Sequence, residues 1–203
     1  MDLGDADVAK AEGAMEIFLK VCRLVKRLEG RFMTVHLGLG RDSTDTLSWN
    51  RTIRALSELV AYAASMGIRV CLENLASGWT SRPELFEKLI RKSNVSVTVD
   101  IGHARVSPSV QSGLYSFEDF ILPHHNRVHN AHVYHEEWSD GHVPPSHVND
   151  VRDRLSLLCC LPCCDWWVLE LREEKALFET LKVVREFLES MPVDRSLEWY
   201  GMN

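Results

Sequence analysis

The sequence predicts a mixed α/β fold with parallel strands, and two observations support this prediction. Amphipathic stretches alternate with short apolar runs along nearly the whole chain, which is typical of parallel strands joined by helical crossovers. The 203 residues are 45% hydrophobic and 26% charged, an ordinary globular composition with enough apolar material for a sizeable core. We find no solenoid repeat and no low-complexity linker, so we expect one domain.

Apolar residues at steps of three and four predict the helices. In the first helix Met15, Phe18 and Cys22 share one face, with charged residues between them. Ser81, followed by Glu84 three residues later, resembles a capping box and predicts that a helix begins there. The predicted helices cover residues 8–28, 49–63, 81–92, 148–158 and 174–190, with a short one near 117–122.

Short apolar runs predict five strands, of which the third is the clearest. There, valines alternate with Ser96, Thr98 and Asp100. This alternation gives the strand one small polar face and one valine face that packs on helices. The predicted strands are 32–36, 68–73, 95–100, 129–134 and 166–171, and a polar loop is expected at 136–146.

Charge and cysteine usage narrow the class of protein. The formal net charge of −6 disfavours broad attachment to nucleic acid or anionic membranes, although a local basic groove is compatible with it. No apolar run approaches the roughly 18 residues of a membrane span, and the acidic N-terminal stretch lacks the apolar core of a secretory signal. Six cysteines in such a chain indicate reduced thiols. We therefore expect a cytoplasmic protein.

Potential metal ligands stand at or near the end of every predicted strand. They are His36, Glu73, Asp100 with His103 just beyond, His132 and Glu170, and the loop after the fourth strand adds Asp140 and His142. Functional sites in parallel α/β folds form at the carboxyl ends of the strands. Carboxylates and imidazoles together suit a divalent metal of the Mn, Zn, Fe or Co type, and carboxylates also admit Mg.

The alternative for each of these residues is an ordinary structural role. The strand-end carboxylates and imidazoles could be polar loop-edge residues, and His36 could bond a neighbouring carbonyl. Asp140 and His142 could form a solvated turn. Trp79 and Trp138 follow strands and could stack over the ring of a ligand.

Six segments, taken in order, resemble the successive motifs of the xylose isomerase-like TIM-barrel superfamily. They are TVHLG (34–38), CLEN (71–74), VDIGHA (99–104), NAHVYHEE (130–137), DGH (140–142) and VLELRE (168–173). The superfamily includes sugar isomerases, epimerases and the endonuclease IV group of nucleases. The resemblance runs from about residue 1 to residue 190 and implies a TIM (β/α)8-barrel-like fold, which we expect to form a single domain over 1–203. Motifs for roughly the first two strands are missing, and a complete barrel typically needs about 250 residues, so we expect an N-terminally short barrel.

The resemblance also implies a site and a reaction. Glu73, Asp100, His132 and Glu170 would bind one divalent metal, such as Mn, Zn, Co or Mg. Glu73 and Glu170 would also be the acid/base pair that moves a proton on a substrate carbon. His103 would hold a substrate oxygen. We therefore expect a metal-dependent isomerase or epimerase of a small sugar or a related hydroxy-carbonyl compound.

Two other functions stay open at the level of sequence. The first is an endonuclease IV-like zinc phosphodiesterase acting on abasic DNA, in which His36, His103, Asp140 and His142 would bind further zinc ions. The acidic balance and a missing early histidine motif weigh against it. The second is a degenerate, non-catalytic barrel, whose exposed strand edges would favour a partner or a homo-oligomer.

The cysteine cluster of residues 159–164 contains Cys160-x-x-Cys163, a spacing found in redox and zinc sites. It lies between a predicted helix and a predicted strand, at the rim opposite the proposed site. No second such pair accompanies it, so we expect small buried thiols that fill a helix–strand corner.

Overall fold

The computed structural model describes residues 2–38, 46–139 and 141–191. The chain divides into two compact units, Met1–Thr98 and Val99–Asn203. Among the described helices, none is long and apolar enough for a membrane span.

The first unit alternates helices with parallel strands. Its elements are α1 (Val8–Arg27), β1 (Phe32–Val35), α2 (Trp49–Ser65), β2 (Arg69–Glu73), α3 (Pro83–Ser93) and most of β3 (Ser96–Asp100). The strand β2 lies between β1 and β3, and both pairings are parallel. In this register Thr34 is opposite Cys71, and Glu73 is opposite Thr98. The carboxyl ends of the three strands therefore meet at one edge of the sheet.

The apolar faces predicted from the sequence form the core of this unit. The helix α1 is capped by Asp7, whose carboxylate accepts the amides of Ala9 and Lys10, and it buries Ala14 and Cys22. Side chains from α2, α3 and the strands complete the core, including Leu56, Leu59, Leu72, Phe86, Leu89 and Val97.

The predicted capping box at Ser81 is wrong. Ser81 lies in a short 3₁₀ turn, Trp79–Ser81, and its hydroxyl donates to the carbonyl of Gly78 at 2.9 Å. The helix α3 begins instead at Pro83, since proline favours the first helical position, where no amide proton is needed.

The second unit contains the end of β3, a pair of parallel strands and a short hairpin. Its elements are α4 (Ile101–Val106), α5 (Pro108–Gln111), β4 (Val128–Val133), β5 (Glu136–Trp138), β6 (Gly141–Val143), α6 (Arg152–Cys160), β7 (Trp166–Leu169) and α7 (Glu174–Ser190). The strands β4 and β7 are parallel, with His132 opposite Val168. Short 3₁₀ turns occupy Glu118–Phe120, Leu122–Arg127 and Val148–Asp150.

The expected polar loop at 136–146 holds the antiparallel hairpin of β5 and β6 instead, with Glu137 opposite His142. Three-residue strands are too short for alternation to reveal them in a sequence. The helix predicted from residue 148 begins later, at Arg152. The Asp150 carboxylate accepts the amides of Ser146 and His147 and so closes a separate turn before it.

The cysteines are free thiols, as expected. In the 159–164 cluster only Cys164 is buried, whereas the other three are partly exposed. Burial raises the pKa of Cys164 to about 12, so its thiol stays protonated and inert at neutral pH.

Candidate metal centre

Asp100 is the most enclosed of the candidate ligands that the structure describes. It ends β3, it is fully buried, and its Oδ1 accepts the amide of His103 at 2.7 Å, which caps the N-terminus of α4. Its Oδ2 lies 3.5 Å from His103 Nδ1 and 3.7 Å from His132 Nδ1. A buried carboxylate is costly without compensation, and these two imidazoles are the groups beside it that can offset this cost when they are protonated.

His132 and Glu170 come together because their strands are neighbours. His132 lies near the end of β4 and Glu170 directly follows β7, and His132 Nδ1 is 2.7 Å from Glu170 Oε2. His132 is 12% exposed and Glu170 42%. One donor atom from each of Asp100, His132 and Glu170 lies within 4.8 Å of the others. Two carboxylates and one imidazole at this spacing fit a divalent cation of the Mn, Zn or Co type.

In the first unit, Glu73 and His36 form a second pair. Glu73 ends β2 with 1% of its side chain exposed, and its Oε2 lies 3.0 Å from Nε2 of His36, which follows β1. His36 is 38% exposed, so this imidazole links the buried carboxylate to solvent. The parallel pairing of β1 and β2 brings the two residues together. Nε2 of His36 therefore contacts a predicted site residue.

A further cluster in the second unit consists of His103, Glu137 and His142, whose potential ligand atoms lie within 4.8 Å of one another. His142 Nε2 is 3.1 Å from Glu137 Oε2. His142 Nδ1 donates to the backbone carbonyl of Glu170, so Nε2 is the ring nitrogen that this residue presents to the cluster. Asp140, which the sequence also indicated as a ligand, lies outside the described residues.

The sequence did not predict two residues of this region, Glu137 and Tyr134, as part of the site. Glu137 faces His142 only because of the β5–β6 pairing, and the sequence offered no strand signal for it. Tyr134 is fully buried, and its ring stacks on His142 with centroids 4.0 Å apart. Burial raises the pKa of Tyr134 far above its usual value, and the neighbouring Asp100 carboxylate raises it further. The phenol therefore remains neutral.

Arg154 fixes the backbone around these residues. Its buried guanidinium donates to the carbonyls of Ile101 at 2.9 Å and His135 at 2.7 Å, and also to that of Asp150. Desolvation lowers its pKa to about 10, which still leaves it charged at neutral pH. One side chain thus ties the start of α4 to the turn after β4.

The two tryptophans considered for sugar stacking differ in their surroundings. Trp79 meets Trp49 edge-on at 5.1 Å within the first unit, a packing contact. Trp138 is 57% exposed, and its indole donates to Glu136 at 3.0 Å. Because side chains alternate along β5, Trp138 lies on the opposite face of the hairpin from Glu137.

The sequence of this chain is similar to one protein family and to an individual protein. The sequence profile of the "xylose isomerase-like TIM barrel" family matches residues 1–190. An uncharacterized protein of Methanocaldococcus jannaschii is 27% identical over 167 residues, which cover 82% of this chain and 71% of that protein.

Solved structures resemble the chain in fold. A D-tagatose 3-epimerase-like protein superposes with a TM-score of 0.73 and 17% identity, over 93% of this chain and 73% of its own. The IolI protein with a bound zinc atom superposes with a TM-score of 0.69 and 13% identity, over 95% of this chain and 75% of its own. At these identities the likeness establishes the fold.

Proposed function

Because the chain belongs to the xylose isomerase-like TIM-barrel family, we propose that it is a divalent-metal-dependent isomerase or epimerase of a small sugar or a related hydroxy-carbonyl compound. The observation that carries this proposal is the clustering of Asp100, His132 and Glu170 at the ends of three strands. Fold alone does not fix a function, whereas this donor set is what a carbonyl-activating cation needs.

Asp100, His132 and Glu170 would hold the cation, with Glu73 as the fourth ligand in the family pattern. Glu73 is supported by its burial at the end of β2 and by its register with Thr98, two residues before Asp100 on β3. Mn, Zn, Co and Mg all accept such a set, and the imidazole favours the first three. A bound cation would polarise the substrate carbonyl and stabilise the charge that develops as the adjacent carbon loses its proton.

The proton transfer itself would fall to the two glutamates. Inverting a carbon centre requires one group to remove its proton and another to return a proton on the opposite face. Glu170 is 42% exposed, so it can exchange its proton with solvent directly. Glu73 is nearly inaccessible, but its contact with the partly exposed His36 gives its proton a route to water.

The test is solvent-proton exchange into candidate sugars. The protein would be incubated in D2O with a panel of ketopentoses and ketohexoses and each of the four metals, and deuterium incorporation followed by NMR. For any active sugar, we expect Glu73→Gln and Glu170→Gln each to reduce exchange by about 100-fold or more. Glu58→Gln, on the exposed side of α2, is the matched control. Unchanged exchange in both site variants would refute the proposal.

A second function is favoured by one specific observation, the cluster of His103, Glu137 and His142. Two imidazoles and a carboxylate suit zinc, and a second cation near the first would favour phosphodiester cleavage of the endonuclease IV type. In that case the purified protein would hold two or three zinc ions and would incise abasic DNA. Failure to cut such DNA in the presence of zinc removes this alternative.

A further inference from the structure

Tyr134 is the buried aromatic residue that touches both ligand clusters of the second unit. Its ring lies parallel to the imidazole of His142, with centroids 4.0 Å apart and planes inclined by 12°. The ring also meets His103 edge-on, at 6.2 Å and 90°. Tyr134 is fully buried, so these contacts fix the ring on several sides.

Gly102 explains how the ring reaches this position. A Cβ atom at residue 102 would lie 2.0 Å from Cε2 of Tyr134, so a side chain there would collide with the ring. Because residue 102 is glycine, the ring can lie against the first turn of α4. This brings the hydroxyl beside Asp100, the residue that caps the same helix.

The buried hydroxyl of Tyr134 is a potential hydrogen-bond donor to Asp100. It lies beside the Asp100 carboxylate and forms no hydrogen bond of ordinary geometry among the described residues. The neutral phenol is therefore a donor close to the Asp100 carboxylate, which already accepts the His103 amide at 2.7 Å and lies near the imidazoles of His103 and His132. A hydrogen bond from the phenol, added to the one from the amide, would restrict rotation of the carboxylate.

We propose that Tyr134 is a positioning residue of the metal centre, which orients Asp100 through its hydroxyl and His142 through its ring. The proposal rests on the proposed function, since it assumes that Asp100 and Glu170 are ligands. His142 extends the effect, because its Nδ1 donates to the backbone carbonyl of Glu170. One side chain outside the ligand set thus constrains two of the ligands.

The experiment is a titration of the metal-free protein with Co²⁺, whose visible absorption spectrum reports coordination geometry. Tyr134→Phe removes the hydroxyl and keeps the ring. We expect it to weaken Co²⁺ binding by about 10–100-fold, as is usual for partners of metal ligands, and to change the absorption bands. A purely structural role would lower the melting temperature and leave the spectrum of the bound ion unchanged.

Two further variants support the interpretation. Tyr62→Phe removes a hydroxyl that accepts a hydrogen bond from Arg23 in the first unit, and it should bind Co²⁺ as the wild type does. Gly102→Ala keeps the phenol but displaces the ring, so it should change the Co²⁺ spectrum even if Tyr134→Phe fails to fold.

The outcomes separate the two proposals. Wild-type binding with an unchanged affinity and spectrum in Tyr134→Phe overturns the positioning role and leaves the metal centre standing. A wild-type protein that binds neither Co²⁺ nor the other candidate metals overturns both.

Discussion

His132 Nδ1 and Glu170 Oε2 lie 2.7 Å apart, although 37 residues separate them along the chain. The parallel pairing of β4 with β7, which sets His132 opposite Val168, creates this proximity. The same pairing leaves Glu170 about two-fifths exposed while His132 is mostly covered. The pair therefore has one enclosed imidazole and one carboxylate that solvent can reach.

Metal content gives the first prediction. Replacing His132 by Gln removes the single imidazole from the proposed donor set, so the protein purified without chelator should lose its cation. We expect about one Mn, Co or Zn per wild-type chain and less than about a tenth of that in His132→Gln, measured by elemental analysis. His129→Gln on the same strand is the control and should retain the metal. Equal metal content in all three proteins would contradict the proposed centre.

Asp100 allows metal binding to be separated from folding. Asp100→Asn keeps a side chain that can cap α4, because asparagine is as good an N-cap as aspartate, but it removes the charge that attracts a cation. A free metal concentration of about 100 times the Kd should raise the free energy of unfolding of the wild type by about 2.7 kcal/mol.

We expect the metal-free variant to unfold close to the wild type and to gain almost nothing when metal is added. Thermal unfolding with and without the metal measures both quantities. A full metal-induced gain in Asp100→Asn would exclude Asp100 as a ligand.

Several parts of this fold could be predicted from the sequence, for identifiable physical reasons. The strand and helix periods placed the long elements, and the ordered strand-end motifs predicted the TIM-barrel-like fold class, which the family match confirms. The metal ligands themselves remain a prediction. Asp140 lies outside the described residues, so its role stays a prediction as well.

The sequence could not predict contacts that depend on very short strands or on residues far apart in the chain. Glu137 meets His142 only through a hairpin of three-residue strands. Tyr134 lies over Gly102, 32 residues away, and no periodicity relates the two. The capping-box prediction failed at Ser81 because the same residue types also occur in the 3₁₀ turn that precedes Pro83.

Arg154 gives a prediction about stability. Lysine at this position would keep the charge but lose the fork that serves the carbonyls of Ile101, His135 and Asp150. Leaving buried carbonyls without donors costs roughly 1–3 kcal/mol each, so Arg154→Lys should lower the free energy of unfolding by about 3 kcal/mol in urea titrations. Arg152→Lys, at an exposed position two residues earlier, should change it by less than about 0.5 kcal/mol. A similar change in the free energy of unfolding for both variants would disprove the role of Arg154 in holding these three carbonyls.

The last prediction concerns pH and the buried imidazole of His124. Burial lowers its pKa from 6.5 to about 4, and its Nε2 donates to the Phe120 carbonyl at 2.7 Å. Because the unfolded chain binds this proton more readily, the neutral imidazole contributes its full stabilisation above pH 6.5. That contribution is lost as the pH falls towards 4.

Between pH 7 and pH 5 this single group should reduce the free energy of unfolding by about 2 kcal/mol. Urea titrations of the metal-free protein at the two pH values measure the loss. His124→Gln keeps a donor for the Phe120 carbonyl but cannot titrate, so its loss over the same interval should be smaller by about that amount. An identical pH dependence in both proteins would mean that His124 is already able to bind a proton in the folded state.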